Sequence, residues 1–316
     1  MKTVIRALVP PTVRQAVYEA RQRPWRAELE RWCQDLVPDR LIQERQFQCA
    51  FGHPIQWANP TTFMEKIHWL MRYDRRPTLT QCADKVAVRD YVSKRVGPDA
   101  LTQLYGIWTD PDKIDFTTLP LPCVLKVNHG SGQMLFIPSP PTLFRIEKIR
   151  AQLASWLRRS EYWVSREWAY KDIPPRILGE EFLSDASGAS PTDYKFHCFG
   201  GVPLMIQVDL DRFTNHERLM RSPEWAPLPF DMTFPHSLTM PPPPPTLGAM
   251  LDMARCLSRE HPYVRVDLYT LGLRIVFGEM TWYPNGGLEQ IIPASWNTTI
   301  GGWLTLPTLA FCSGKS

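Results

Sequence analysis

The chain of 316 residues is 44% hydrophobic and 22% charged, carries a formal net charge of +4, and has no apolar run approaching the ~18 residues that span a bilayer. These values exclude a helical membrane protein and a disordered chain, and the length predicts about two structural units around a sizeable core. Proline is the outlier at 31 residues and predicts many fixed loops. Cys33, Cys49, Cys82, Cys123, Cys198, Cys256 and Cys312 are odd in number, scattered, and never spaced C-x-x-C. They read as thiols of a reducing compartment, not as bridges or zinc ligands, so a cytoplasmic protein is expected.

The opening MKTVIRALVPPTVRQ is too short in apolar residues for a signal peptide. Residues 1–26 carry Lys2, Arg6, Arg14, Arg21, Arg23 and Arg26 against the single acid Glu19, with Val13, Ala16, Val17 and Ala20 at helical spacing. Two expectations stand for this segment: a solvated helix packed on the body, or a peripheral contact with an anionic membrane face. No long basic face interleaved with aromatics marks a nucleic-acid partner.

Asn59-Pro60 signals a turn, and Thr62 with Glu65 forms a capping-box pair ahead of Phe63, Ile67, Leu70 and Met71, so a helix is expected from 62. A second helix is expected from Gln81 to Arg95, along Val88, Tyr91, Val92 and Arg95, stopped by Gly97-Pro98. CVLKV at 123–127 and MLFI at 134–137 read as strands joined by the Asn128–Gly132 hairpin loop. A helix follows over 142–159, through Leu143, Ile146, Ile149, Leu153 and Leu157. Strands are expected at 176–183, 194–199, 203–209, 264–270 and 273–280, with a helix at 246–260 through Leu247, Met250, Leu251, Ala254 and Leu257. Pro241–Pro245 reads as a polyproline strut, and the stretch 211–245 as a loop whose Asp211, Arg212, His216, Arg218 and Arg221 are solvated or meet an acidic sugar. The mixture with antiparallel pairs predicts α+β layers.

Lys126 lies inside an apolar strand, where a lysine is costly unless it meets an anion, and Gly130, Ser131 and Gly132 follow with backbone N–H groups on offer. Strand lysine plus glycine loop points to phosphate, although HGSG lacks the Walker A spacing and a plain turn also uses such glycines. Arg265 and Asp267 share one face of a strand, as Glu279 and Thr281 do on the next. Such facing carboxylates can hold a divalent cation with nucleotide phosphates, or can simply be neutralised by Arg265. Glu180 and Glu181 close an apolar strand and can meet an adenine or ribose hydroxyl, or stay an exposed strand end; Lys195 is another cation in a strand. Lys85 and Arg89 share a face of the expected second helix, and Asn285 in the Tyr283–Gly287 turn can aim an amide at a substrate. No G-x-S-x-G elbow, H-E-x-x-H motif or Cys/His cluster occurs.

In order, ADKVAVRDYV, LYGIWTDPDKIDF, VLKVNHGSG, ILGEEFL, DYKFHCFGG, VRVDLY and GEMTWYPNGG resemble the TupA-like ATP-grasp family of polysaccharide and teichuronopeptide biosynthesis, over roughly residues 59–310. The resemblance implies an α+β ATP-grasp fold, two subdomains clasping ATP with Mg²⁺, after a helical N-terminal extension. The expected boundaries are 1–58 for the extension, 59–122 for a helical pre-grasp part, 123–183 for the lid subdomain and 184–316 for the C-terminal subdomain. It further implies nucleotide contacts by Lys85, Lys126, His129, Gly130, Ser131, Gly132, Glu180, Glu181, Leu183 and Lys195. Asp267 and Glu279 match the metal carboxylates, and Thr281 stands where many relatives carry asparagine, with Asn285 as a substitute ligand. Arg265, with Lys126, matches the groups that stabilise charge on the transferred phosphoryl. The implied activity joins a small-molecule or glycan-linked carboxylate to an amine through an acylphosphate. A phosphotransferase and a non-catalytic scaffold are the alternatives.

Overall fold

The structure, a computed structural model, describes residues 37–184, 191–210, 217–233 and 241–312. The basic segment 1–26, Cys33, and Asp211, Arg212 and His216 lie outside the described residues. Two antiparallel sheets face different cores, and helices fill the space around them.

The chain enters through α1 (Asp39–Phe51) and α2 (Phe63–Tyr73). The capping box at α2 forms as expected: the Thr62 hydroxyl accepts from the Glu65 N–H at 3.3 Å and the Glu65 carboxylate accepts from the Thr62 N–H at 3.0 Å. Phe63, Met64, Ile67, Leu70 and Met71 are buried along its inner face. The single helix expected over 81–95 is instead two, α3 (Pro77–Ala83) and α4 (Val88–Val96). Asp84 breaks it, because its side chain accepts the Val86 N–H at 2.8 Å and competes with the helical bond. Lys85 therefore sits in a turn and not on a face shared with Arg89. Gly97 ends α4 at φ 91°, a conformation that glycine adopts without strain.

The smaller sheet has the order β1-β4-β2-β3, from β1 (Leu104–Trp108), β2 (Cys123–Val127), β3 (Met134–Ile137) and β4 (Ile177–Glu181). The strand β1 was not expected from periodicity, since Gly106 weakens its pattern. The helix α5 (Leu143–Leu157) covers this sheet with buried Ile149 and Leu153 and half-buried Ile146, Trp156 and Leu157, while Leu143 at the far end of the expected stripe is exposed. A short helix, α6 (Glu161–Ser165), and a 3₁₀ turn at Trp168–Tyr170 lead back to β4.

The larger sheet is built from β5 (Asp193–Phe199), β6 (Val202–Leu210), β7 (Glu217–Arg221), β9 (Tyr263–Leu271) and β10 (Arg274–Thr281), in the order β10-β9-β5-β6-β7. A two-stranded ribbon pairs β8 (Asp231–Met232) with β11 (Ile291–Ile292). Side chains alternate across the larger sheet. Phe196, Cys198, Ile206, Val208, Val264 and Val266 pack with Met250, Ala254 and Leu257 of α7 (Leu247–Ser258). Asp193, Lys195, His197, Gln207, Asp209, Arg265 and Asp267 fill the opposite face. A β-bulge at Gly278 lets Phe277 oppose Leu268 while Glu279 opposes Asp267, which moves Glu279 and Thr281 to the polar face.

The strand β7 corrects the expected loop at 211–245. Arg218 is buried, donating to Asp209 at 2.7 Å and to the Met232 carbonyl at 2.8 Å, so it is neither solvated nor open to a sugar. Arg221 is buried as well.

The last helices are α8 (Ser295–Trp303) and α9 (Leu309–Cys312). The start of α2 lies directly on α8: a Cβ at Gly301 would stand 2.2 Å from the Thr61 carbonyl oxygen, and Lys66 donates to the Gly301 carbonyl at 2.8 Å. Gly301→Ala is therefore expected to lower stability by about 1–3 kcal/mol through overpacking against backbone, read as a shift in the urea midpoint. Among the described residues every cysteine is free, and no helix is long and apolar enough to cross a membrane.

Candidate active site

On the smaller sheet Lys126 projects from β2 and ion-pairs with Glu180 of the neighbouring β4. Glu180 also accepts the Thr102 hydroxyl at 3.0 Å and has Arg89 at 3.8 Å. The strand lysine thus has its anion inside the protein. Past β2 the glycine loop turns sharply: a Cβ at Gly130 would stand 2.0 Å from the Gln133 side-chain oxygen, and Gly132 holds φ 70°. Ser131 and Gly132 are exposed at its tip. Lys85 reaches the loop from its turn, donating to the Gly130 carbonyl at 2.7 Å. His129 is different, since its ring nitrogens meet Asn128 Oδ1 at 3.1 Å and the Arg159 carbonyl at 2.9 Å. Its ring is committed inside the protein, so only its backbone borders the loop.

On the larger sheet Arg265 and Asp267 of β9 stand opposite Thr281 and Glu279 of β10. The Arg265 guanidinium donates twice to Asp267, each at 2.7 Å, and reaches Glu279 and Thr281, each at 3.1 Å. Thr281 donates its hydroxyl to Glu279 at 3.0 Å. Behind them Lys195 donates to Asp193 and, at 2.9 Å, to Asp267. Lys85 bridges the two sheets, with its ammonium 4.0 Å from Glu279 Oε2.

The charges set the protonation states. Burial pushes the Glu279 carboxyl up, but Lys85, Arg265 and Lys195 outweigh it and hold the group at about 2. Arg265 loses by burial and gains more from Asp267 and Glu279, so it stays charged. Burial also drives Lys85 down, with Glu279 opposing.

A hard divalent cation fits Glu279 best. Among the described residues its Oε2 makes only the long contact to Lys85, and its side chain keeps 36% exposure. Both oxygens of Asp267 already hold Arg265 or Lys195, so that carboxylate joins a metal only by sharing or releasing a cation. Asn285 lies apart, exposed in the turn at φ 49° with its amide donating to the Leu288 carbonyl at 3.4 Å. Among the described residues no cluster of three or more His, Cys, Asp or Glu is arranged to hold a metal. The protein supplies a partial shell, as oxygen sites for Mg²⁺ with phosphates do.

At the junction of the sheets, Glu181 of β4 takes Arg274 of β10 at 2.7 Å and the Gln103 N–H at 3.0 Å. An open cleft of about 660 Å³ lies here, lined by Arg89, Thr102, Gln103, Leu104, Glu181 and Arg274. Leu183 follows, half-buried, just ahead of residues 185–190, which fall outside the described residues.

Several residues of the site carried no sequence signal. Asn128 and Asp84 brace the glycine loop: Asn128 donates to Asp84 at 2.8 Å and to the Pro174 carbonyl at 2.9 Å, and Arg176 pairs with Asp84 at 2.6 Å. Glu161, at the start of α6, and Glu167, just past its end, are held above the usual carboxylate range by burial, Glu167 at about 8.

The sequence matches the family described as TupA-like ATP-grasp over residues 65–305. Among solved structures, the chain is similar to D-alanine–D-alanine ligase from Bacillus anthracis complexed with ATP, at 11% identity and TM-score 0.42, covering 75% of this chain and 69% of that one. It is also similar to the ATP-grasp ligase PsnB complexed with its minimal precursor, at 10% identity and TM-score 0.37, covering 66% of this chain and 54% of that one. PsnB with minimal precursor, Mg and ADP gives 10% identity and TM-score 0.37, covering 79% and 64%. The chain thus spans between about half and two-thirds of the length of these neighbours. Comparison with curated proteins gives no match. An α+β chain that sets a strand lysine and a glycine loop against a second sheet's arginine and carboxylates has the make-up of an ATP-grasp protein. The chain belongs to the TupA-like ATP-grasp family.

Proposed function

We propose that the protein is an ATP-dependent carboxylate–amine ligase acting through an acylphosphate, on a uronic acid or peptide carboxylate of a cell-surface glycan or its precursor. Family membership supports ATP with Mg²⁺ as cofactors and C–N bond formation as the reaction class. A single observation carries the reading: Lys85 touches the glycine loop on one side and approaches Glu279 on the other, so phosphate-binding and carboxylate groups converge on one place. Bound Mg²⁺ would neutralise phosphate charge beside Glu279. Lys126 and Lys85 bind and orient the phosphates, and the exposed loop tip at Ser131 and Gly132 closes over them. Arg265, pinned by Asp267, faces the negative charge that develops on phosphoryl transfer and on amine attack. No covalent protein nucleophile is required, which fits a site without a Ser/His or Cys/His pair. The cytoplasm, where ATP is available and thiols stay reduced, is the expected compartment, with the basic segment 1–26 as its means of meeting a membrane face.

The test is thermal unfolding with and without Mg·ATP. At ~100 times the dissociation constant the wild type is expected to gain about 2.7 kcal/mol. Lys126→Ala is expected to lose about 10–100-fold in ATP affinity, one charge-assisted hydrogen bond being worth about 1.5–3 kcal/mol. It should remain folded, because Glu180 keeps Thr102 and Arg89. A folded variant with wild-type ATP affinity would remove Lys126 from the site.

A further inference from the structure

Two acids, Glu161 at the start of α6 and Glu167 just past its end, lie on the side of the candidate site. Glu167 is buried, and among the described residues its carboxyl has Ser165 as its hydrogen-bond partner. Neither acid has a cation within ion-pair distance among the described residues. Its Oε1 faces the Pro284–Gly287 turn that follows β10, and a Cβ on Gly286 would stand 3.7 Å away. Arg265 and Glu279 lie within its electrostatic reach, as does Glu161, which in turn feels Lys85 and the Ser131 N–H of the glycine loop. From the core side the Tyr283 hydroxyl, 2% exposed and without a partner among the described residues, feels the Glu167 charge, and so does Tyr170.

A buried carboxyl with no cation beside it stays uncharged at neutral pH, as its value of about 8 implies, and ionises where something else brings the positive charge. Here that position faces the turn that follows β10, the strand of Glu279 and Thr281, and lies within electrostatic reach of Arg265. Resting on the ligase reading, we propose that Glu167 forms the subsite for the incoming ammonium and takes its proton. The ammonium gives one proton to the Glu167 carboxylate, and its freed lone pair attacks the acyl carbon. The tetrahedral adduct collapses by breaking the bond to the phosphate oxygen, and the departing phosphate takes the second proton from nitrogen. Amide, phosphate and one proton result, the last leaving from Glu167 to solvent. A carboxyl group held at about 8 by burial matches a base that must hold an ammonium proton and then release it. The substrate class implied is a primary amine that enters as its cation.

The nucleophile distinguishes this role from others. Hydroxylamine is a weak base, already unprotonated at neutral pH, and needs no protein base to trap an acylphosphate. With Mg·ATP, a panel of uronic acids and amino acids is offered with hydroxylamine, and the acid that yields a hydroxamate is then offered with glycinamide. Glu167→Gln is expected to keep hydroxamate formation within about twofold of wild type and to lose amide formation by about 10²–10⁴-fold. Glu167→Asp, which keeps the charge but withdraws it, is expected to fall between the two. Amide formation at the wild-type rate in Glu167→Gln overturns the proposal. Loss of both products in a variant that Mg·ATP still stabilises overturns it too, assigning Glu167 to phosphoryl transfer. A wild type that binds Mg·ATP but yields no hydroxamate with any acid overturns the ligase reading, and this role with it.

Discussion

Arg265→Met is expected to lower turnover by about 10²–10³-fold while leaving ATP affinity within a few-fold of wild type, the size of effect seen when one fixed donor to a developing anion is removed. The expectation rests on how little this side chain has to move. Two bonds of 2.7 Å to Asp267 and two of 3.1 Å to Glu279 and Thr281 fix the guanidinium before any substrate arrives. A pre-set donor stabilises the transition state without a reorganisation cost, so its loss falls on the chemical step and not on binding. Methionine preserves much of the volume and removes the charge. The check is single-turnover kinetics beside an ATP titration. A variant with lowered ATP affinity and an unchanged chemical step would make Arg265 a binding residue only.

Lys195→Met is expected to destabilise the protein by about 3–5 kcal/mol, the range for removing one partner of a buried charge set. Lys195, Asp193 and Asp267 have side chains exposed by only 5%, 5% and 3%, and Asp209 stands 3.8 Å from the same ammonium. Without the lysine, Asp193 and Asp267 lose their shared cation while remaining out of water, and Arg265 is left to neutralise Asp267 alone. The measurement is urea unfolding at neutral pH. A midpoint equal to wild type would show that the aspartates accept protons at no cost, and the lysine would then have to be explained by the reaction instead.

These two residues illustrate what the chain discloses when read without coordinates. Period-two alternation in VRVDLY was enough to put Arg265 and Asp267 on one strand face, because burial on the other face enforces that alternation, and Lys195 was legible as a cation within a strand. The glycine loop and the capping box at Thr62 were equally legible, as each depends on neighbours within a few residues. What failed depended on distant partners. The 81–95 helix looked continuous until Asp84 was seen to serve the turn and Asn128 together. Arg218 looked like a loop residue, since the acid that buries it, Asp209, lies across a strand pair. Glu167 was invisible for a related reason. An acid in an irregular stretch has no periodicity, and only the packing around it removes its water.

The bulge at Gly278 has a bearing on how such a site can arise or vanish. Ahead of it, β10 alternates inside and outside in step with β9, with Phe277 across from Leu268. One supernumerary residue then reverses that parity for the rest of the strand. The same letters paired without it would turn Glu279 and Thr281 toward the oily side, leaving Arg265 and Asp267 to face a blank wall. The carboxylate that Lys85 approaches, and that the proposed reading gives to the metal, is thus an acid with a half-step in the backbone beneath it. A single-codon deletion, altering no charged residue, would erase the centre more thoroughly than most substitutions within it.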